Sequence, residues 1–251
     1  MPGPVVVFGG RGLVGASICR ELVRRGVSPV IAASRSAGAG AGGPLDDAVV
    51  QKDGVDALKP ETLSAVLAGA QGVVISIGIP PWILDKDLAK QMNGVTNVNI
   101  LRAAAEQKVP RVVLINATMP TWRLISGYRE GKELAESEAR NYPDQCGCPC
   151  SVLILKPSAI GGTRYDVIPG RGVNLGLMMA PMRFVFKSLP SVCSFFERLL
   201  PSCFAGVLRP PVYAEELASA AADALVSSSA TGGVTTLGPD SLVGYVSALK
   251  A

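Results

Sequence analysis

Residues 4–15 read Pro4-Val-Val-Val-Phe-Gly-Gly-Arg-Gly-Leu-Val-Gly15, and this stretch decides the fold. Residues 4–8 form a short β-branched run, the mark of a buried strand. Glycines follow at once, and residues 16–25 then carry Ile18, Leu22 and Val23 at helical spacing. A strand that hands over to a helix through glycines has a physical purpose. One glycine allows the tight turn, one lets backbone approach an anion, and one lets helix and strand pack closely. The free N–H groups and dipole of the helix start then favour a diphosphate. Gly9, Gly10, Arg11, Gly12, Leu13, Val14 and Gly15 are therefore expected to cradle the pyrophosphate of a dinucleotide. A P-loop would need Gly-Lys-Ser/Thr after the glycines, and none is there.

The same rhythm continues downstream. Strands are expected at 27–33, 49–53, 72–76, 111–116 and 151–155, and helices at 60–70, 87–107 and 126–141, with 210–225 reading as a Pro-Pro-Val-Tyr start and then a helix opened by Glu215 and Glu216. Residues 37–44, rich in glycine and alanine, read as a mobile surface loop. Strands alternating with helices of this length predict an α/β fold with a doubly wound, mostly parallel sheet and its ligand at the strand ends. From Gly161 the pattern breaks. Met178, Met179, Met182, Phe184, Phe186, Phe195, Phe196 and Phe204 are interspersed with Arg183, Lys187, Arg198 and Arg209. Residues 161–210 read as a C-terminal apolar cap on the substrate side of a single domain spanning 1–251.

Composition narrows the chemistry. The 251 residues include no histidine, which removes Ser-His-Asp and Cys-His catalysis and leaves any zinc site to cysteine. Cys146, Cys148 and Cys150 alternate without the C-x-x-C spacing of a zinc site, so free thiols and no bound metal are expected, and Cys19 reads as core. The formal charge of +4 is mild and its basic residues are scattered, so nucleic acid is not an expected partner. No run of eighteen apolar residues appears. The first strand begins almost at Met1 and leaves no room for a targeting segment, so the expectation is a protein made without one, or a processed or incomplete form.

Cofactor choice rests on the end of the second strand. An acid there would accept from a ribose 2′-hydroxyl, but Ala33-Ser34-Arg35 stands instead, with no carboxylate until Asp46. Ser34, Arg35 and Arg11 are expected to face a 2′-phosphate, which predicts NADP(H), with NAD(H) less favoured. The same missing acid speaks against a methyltransferase.

Gly9 to Gly15, followed by Tyr128-Arg-Glu-Gly-Lys132, resembles the atypical short-chain dehydrogenase/reductases. Residues 32–36 (AASRS), 93–97 (NGVTN), 127–136 (GYREGKELAE) and 155–164 (LKPSAIGGTR) are similar to an organellar branch of that family. The branch includes a dehydrogenase-like protein associated with coenzyme Q synthesis and plant organelle relatives. A more distant similarity is to the NADPH-binding accessory subunit of respiratory complex I. The resemblance implies a Rossmann fold, and a mitochondrial or plastid location on the matrix or stroma side. It implies that Asp53 and Gly54 meet the adenine, that Ser76, Ile77 and Gly78 lie beside the ribose, and that Pro157 and Ser158 line the nicotinamide. Asn97 is carried over as a further cofactor contact. The family pairs a tyrosine and a lysine one helical turn apart, which makes Tyr128 the proton relay and Lys132 the ribose holder. Standard members place a serine after strand 5. This chain reads Asn116-Ala117-Thr118, which leaves Thr118 as the candidate for that role.

Two functions follow from these readings. One is an NADPH-dependent reductase of a lipophilic carbonyl or quinone-type substrate. The other is a non-catalytic NADPH-binding accessory subunit of a membrane-bound respiratory complex. Residues 173–210 then serve as an apolar pocket, a peripheral membrane contact, a docking surface, or a cover for the chain's own core.

Overall fold

Alternation along each strand divides the chain between two cores. In β1 (Val5–Phe8), Val5 and Val7 face one side of the sheet while Val6 and Phe8 face the other, and all four are buried. A strand buried on both faces belongs inside a helix-covered parallel sheet. The computed structural model describes residues 3–38, 40–168, 171–199, 208–227 and 232–249.

The further strands are β2 (Val30–Ala33), β3 (Val49–Lys52), β4 (Gly72–Ile75), β5 (Arg111–Ile115) and β6 (Ser151–Leu155). They are followed by β7 (Ile160–Gly161), β8 (Thr163–Ile168), β9 (Arg171–Asn174), β10 (Val212–Tyr213) and β11 (Gly233–Leu237). The helices are α1 (Leu13–Arg24), α2 (Ser64–Leu67), α3 (Lys86–Lys90), α4 (Thr96–Glu106), α5 (Ser126–Cys146), α6 (Leu175–Ser188), α7 (Pro190–Leu199), α8 (Ala214–Val226) and α9 (Pro239–Leu249). Seven parallel strands make the central sheet in the order β11-β6-β5-β4-β1-β2-β3. One face is covered by α2, α4 and α5 through Leu67, Leu101 and Tyr142. The other is covered by α1, α8 and α9 through Ile18, Leu217 and Leu242. The fold is the expected doubly wound α/β sheet.

Strand order reverses between β1 and β4. In such sheets the crevice beyond the strand ends at that point is where ligands bind. Both neighbours end there, at Phe8 and Ile75.

Two local departures from expectation have physical causes. The 37–44 segment is not a free loop over its described residues: Gly42 and Gly43 are buried. The Gly42 amide donates to the Arg11 carbonyl at 3.0 Å, and Arg20 Nη1 donates to the carbonyls of Gly42 and Pro44. Glycine here permits close nesting: a Cβ at Gly42 would lie 2.3 Å from that of Ala16. The 87–107 helix contains a π-helical turn at Gln91–Val95 between α3 and α4. After Gly161 the strand–helix alternation gives way, as expected, and the described residues form an antiparallel β8–β9 hairpin and helices α6 and α7. Arg183, on α6, pairs with Glu216 of α8 at 2.6 Å and stacks 4.4 Å over the Tyr213 ring, which ties the cap to the domain. Arg209 pairs with Asp240. Cys203 and Phe204 lie outside the described residues, as do the side chains of Met178, Lys187 and Arg198.

Candidate functional site

The turn after β1 is closed by backbone contacts that no side chain fits. Gly9 has φ +75°, in the left-handed region. A Cβ at Gly15 would stand 2.1 Å from the Gly9 carbonyl oxygen, so Gly15 lets α1 sit directly on the turn. Gly12 is the N-cap of α1 and offers no side-chain cap, and the first helical turn holds no acid. Its N–H groups are left to an anion.

Beyond this turn lies a cavity of about 460 Å³. Its floor is Gly12, Leu13 and Val14 from the turn, with Ser76, Ile77 and Gly78 at the end of β4. Asn116, Ala117 and Met119 contribute from the segment after β5, Pro157, Ser158 and Ala159 from the segment after β6, and Tyr128 and Lys132 from α5. Ile79, Pro80, Pro81 and Trp82 form an apolar wall. The cap adds Leu175 and Met179, and Arg164 of β8 stands at the rim in an ion pair with Asp166.

Close helix packing brings the dyad to this place. A Cβ on Gly131 would come within 3.0 Å of the Gly94 amide and the Lys90 carbonyl, so the bare backbones let α5 press on the π turn. Lys132 is thereby buried, with Nζ donating to the Ile115 carbonyl at 3.2 Å and standing 5.9 Å from the Tyr128 ring centre. Burial pushes the Lys132 pKa down to about 8 and the Tyr128 pKa up to about 12. Both values describe a dry pair beside the cavity.

The asparagines missed or underweighted in the sequence shape the same wall. Asn93, on the π turn, accepts from the Ile79 amide at 3.2 Å and holds the apolar loop in place. Asn116 donates to Glu136 at 3.0 Å, while its Oδ1 is buried without a partner among the described residues. Glu136 also binds Lys156 at 2.6 Å. A quoted 93–97 motif was the only signal for Asn93. Its contact comes from the π turn, which a helical periodicity hides.

Other expected residues lie elsewhere. Thr118 does not line the cavity: its hydroxyl donates to the Lys156 carbonyl at 3.0 Å, and its amide to Pro157. Asn97 is buried behind the wall, donating to the Asn93 carbonyl at 2.7 Å, and its Oδ1 is unpartnered. Arg11 does not reach out toward a phosphate. Its guanidinium pairs with Asp53 at 2.7 Å and bonds Gln51 and the Ser36 carbonyl, because β3 brings these acceptors alongside the turn. Asp53 therefore stands beside the end of β2 after all, and accepts also from Ser34 Oγ at 3.2 Å. Gly54 turns the chain there with φ +75°. Arg35 is exposed at the same edge.

The residues fit a dinucleotide. The glycine cradle is shaped for a diphosphate, the cavity joins it to the Tyr128–Lys132 pair, and Asn116 presents an unpartnered acceptor beside them. Among the described residues no cluster suited to a metal ion is present.

Comparisons with known proteins agree with this geometry. Residues 9–137 match the NAD(P)H-binding family. An uncharacterized chloroplastic protein of Arabidopsis thaliana is 33% identical over 232 residues, which cover 88% of this chain and 71% of that protein. Among solved structures, the Bordetella bronchiseptica enzyme WbmF in complex with NAD+ matches with a TM-score of 0.63 at 16% identity, over 98% of this chain and 78% of that one. A UDP-glucuronic acid 4-epimerase from Bacillus cereus in complex with NAD matches with a TM-score of 0.61, also at 16% identity, over 94% and 78%. At such identity these two structures speak for the fold alone.

Proposed function

The chain belongs to the NAD(P)H-binding family, a Rossmann-type group akin to the short-chain dehydrogenase/reductases, and we propose that it is a reductase of lipophilic carbonyl or quinone-type substrates. The observation that carries this reading is one cavity lined by the glycine turn, the Tyr128–Lys132 pair and an apolar wall of Ile79, Pro80, Pro81, Trp82 and Met179.

When bound, a reduced nicotinamide supplies a hydride equivalent. The chain's own residues do the rest. Gly12, Leu13 and Val14 would hold the diphosphate with backbone amides, Ser76 to Gly78 would lie beside the ribose, and Pro157 and Ser158 would line the nicotinamide. Tyr128, with its pKa near 12, keeps its proton at Oη at neutral pH. It is thus a donor to a substrate oxygen that gains charge, which suits reduction better than oxidation. Lys132 would hold the ribose hydroxyls and, when protonated, would lower the phenol pKa. The apolar wall borders the pair.

For the cofactor we favour NADP(H). Arg35 is exposed at the end of β2, while the Asp53 carboxylate is already engaged at Oδ1 by Arg11 and Ser34. A plastid location is favoured, on the strength of the chloroplastic relative. The test is turnover. Wild-type protein should oxidise NADPH with a short-chain quinone or aryl ketone, and Tyr128→Phe should lower kcat about 100-fold or more with little change in NADPH affinity. Equal rates in both would remove Tyr128 from the chemistry.

A second reading is favoured by two features. Thr118 is turned away from the cavity, and α6 and α7 expose Leu177, Phe184, Phe195, Phe196 and Leu199. In that reading the chain is an accessory subunit of a membrane-bound respiratory complex, with NADPH stabilising the fold. It predicts co-purification with a membrane assembly that Tyr128→Phe leaves intact.

A further inference from the structure

At the far end of α5 from the dyad, three thiols gather in one corner. Cys146 closes the helix, Gly147 turns the chain in the left-handed region at φ +60°, and Cys148 follows at the surface edge. The sulfurs of Cys146 and Cys148 are 2.8 Å apart, against the ~2.05 Å of a disulfide bond. Cys146 and Cys150 are buried, whereas Cys148 is half-exposed, with its sulfur facing the Lys108 carbonyl. The left-handed Gly147 carries no Cβ, and a side chain there would meet nothing, so glycine serves the tight reversal that returns Cys148 onto Cys146.

We propose that Cys146 and Cys148 are a dithiol/disulfide centre that exchanges electrons with disulfide-bearing partners, small or protein. Cys148, the accessible thiol, loses its proton to solvent and attacks one sulfur of the partner disulfide. A mixed disulfide forms at Cys148 and the first partner thiolate leaves. Cys146, deprotonated in turn, attacks the Cys148 sulfur, closes the Cys146–Cys148 bond and expels the second partner thiolate. The two cysteines are oxidised, the partner disulfide becomes two thiols, and the two protons released are taken up by the leaving thiolates. The hydrogen bond to Cys146 and partial burial hold the Cys148 thiol above its ordinary value, an effect the Lys108 ammonium only partly offsets, so exchange is expected to be faster at alkaline pH. A ring this short is strained, which places the centre among the labile, reversible disulfides rather than the structural ones. Lys132 and Cys146 stand fourteen positions apart on α5, about 21 Å of helix, so the centre is separate from the cofactor cavity.

The experiment equilibrates the purified full-length chain with excess glutathione disulfide, quenches with acid, and maps thiols by differential alkylation and mass spectrometry. Wild type should lose two hydrogen atoms in intact mass, with a Cys146–Cys148 crosslink that dithiothreitol reverses. Cys150→Ser should keep the crosslink, and Cys148→Ser should lose it entirely, with NADPH affinity unchanged in both. Because Cys146 is buried, Cys146→Ala serves as the second variant, and it should trap a glutathione adduct on Cys148. All six thiols alkylatable in wild type, a stable adduct in place of the crosslink, or a Cys148–Cys150 crosslink would each overturn the proposal.

Discussion

Replacing Lys132 with methionine should stabilise the cofactor-free protein and erase part of its pH dependence. Lys132 is buried, and its pKa falls from 10.5 to about 8 on folding. Below about pH 8 both folded and unfolded chains carry the ammonium, and burying it costs about 3 kcal/mol. Between about 8 and 10.5 the folded chain binds fewer protons than the unfolded one, so stability rises with pH. Tyr128 acts in the opposite sense. Its pKa rises from 10.0 to about 12, so from about pH 10 upward the unfolded chain loses that proton first and stability falls. The observable rise therefore lies between about pH 8 and 10. Methionine keeps the apolar stem but loses the hydrogen bond to Ile115, worth about 1 kcal/mol. The net gain for Lys132→Met is about 2 kcal/mol below pH 8, vanishing toward pH 10. Urea unfolding of both proteins without cofactor, at pH steps across this range, reads it directly. Parallel curves, or a variant less stable than wild type at neutral pH, would refute a desolvated lysine beside Tyr128.

Further outcomes follow from the same geometry. Gly131→Ala pushes a Cβ to 3.0 Å from backbone atoms of the π turn and should destabilise by about 1–3 kcal/mol in denaturant titration. Gly244→Ala, in α9 with nothing within 4 Å, should instead stabilise by up to about 1 kcal/mol. Arg35→Ala should weaken NADPH binding about 10-fold or more and leave NADH binding unchanged, as isothermal calorimetry would show; equal losses for both would shift the 2′-phosphate contact elsewhere.

The glycine turn was legible because its constraint is local: φ +75° at Gly9 and a 2.1 Å approach at Gly15 admit no other residue. The inner strands of the central sheet up to β6 were legible because two-sided burial demands β-branched runs such as Val5 to Val7, while the edge strand β3, with only Val49 buried, was marked by Val49-Val50 alone. What escaped depended on contacts distant in sequence. Arg11 looked free because its acceptors Gln51 and Asp53 arrive on β3, and Asp53 looked remote from β2 for the same reason. The 37–44 glycines suggested mobility, yet the missing Cβ atoms are what let Gly42 nest on Ala16. Strand β11 and helix α9 lay beyond the last element expected from the sequence. The strand's Gly-Val-Thr-Thr-Leu becomes recognisable only once paired with β6. At the site, the Tyr128–Lys132 spacing was visible, whereas the orientation of Thr118 was fixed by the Lys156 carbonyl, which no spacing reveals.

The account stands or falls on whether backbone amides at the start of α1 take a dinucleotide. Titration of NADPH into the pure protein, followed by calorimetry and by thermal unfolding, tests this without assuming a substrate. At about 100 times Kd the cofactor should stabilise the fold by about 2.7 kcal/mol, and Gly12→Asp, which sets a carboxylate where the diphosphate belongs, should abolish the effect. No heat of binding and an unmoved melting temperature in wild type, or full binding by Gly12→Asp, would contradict it.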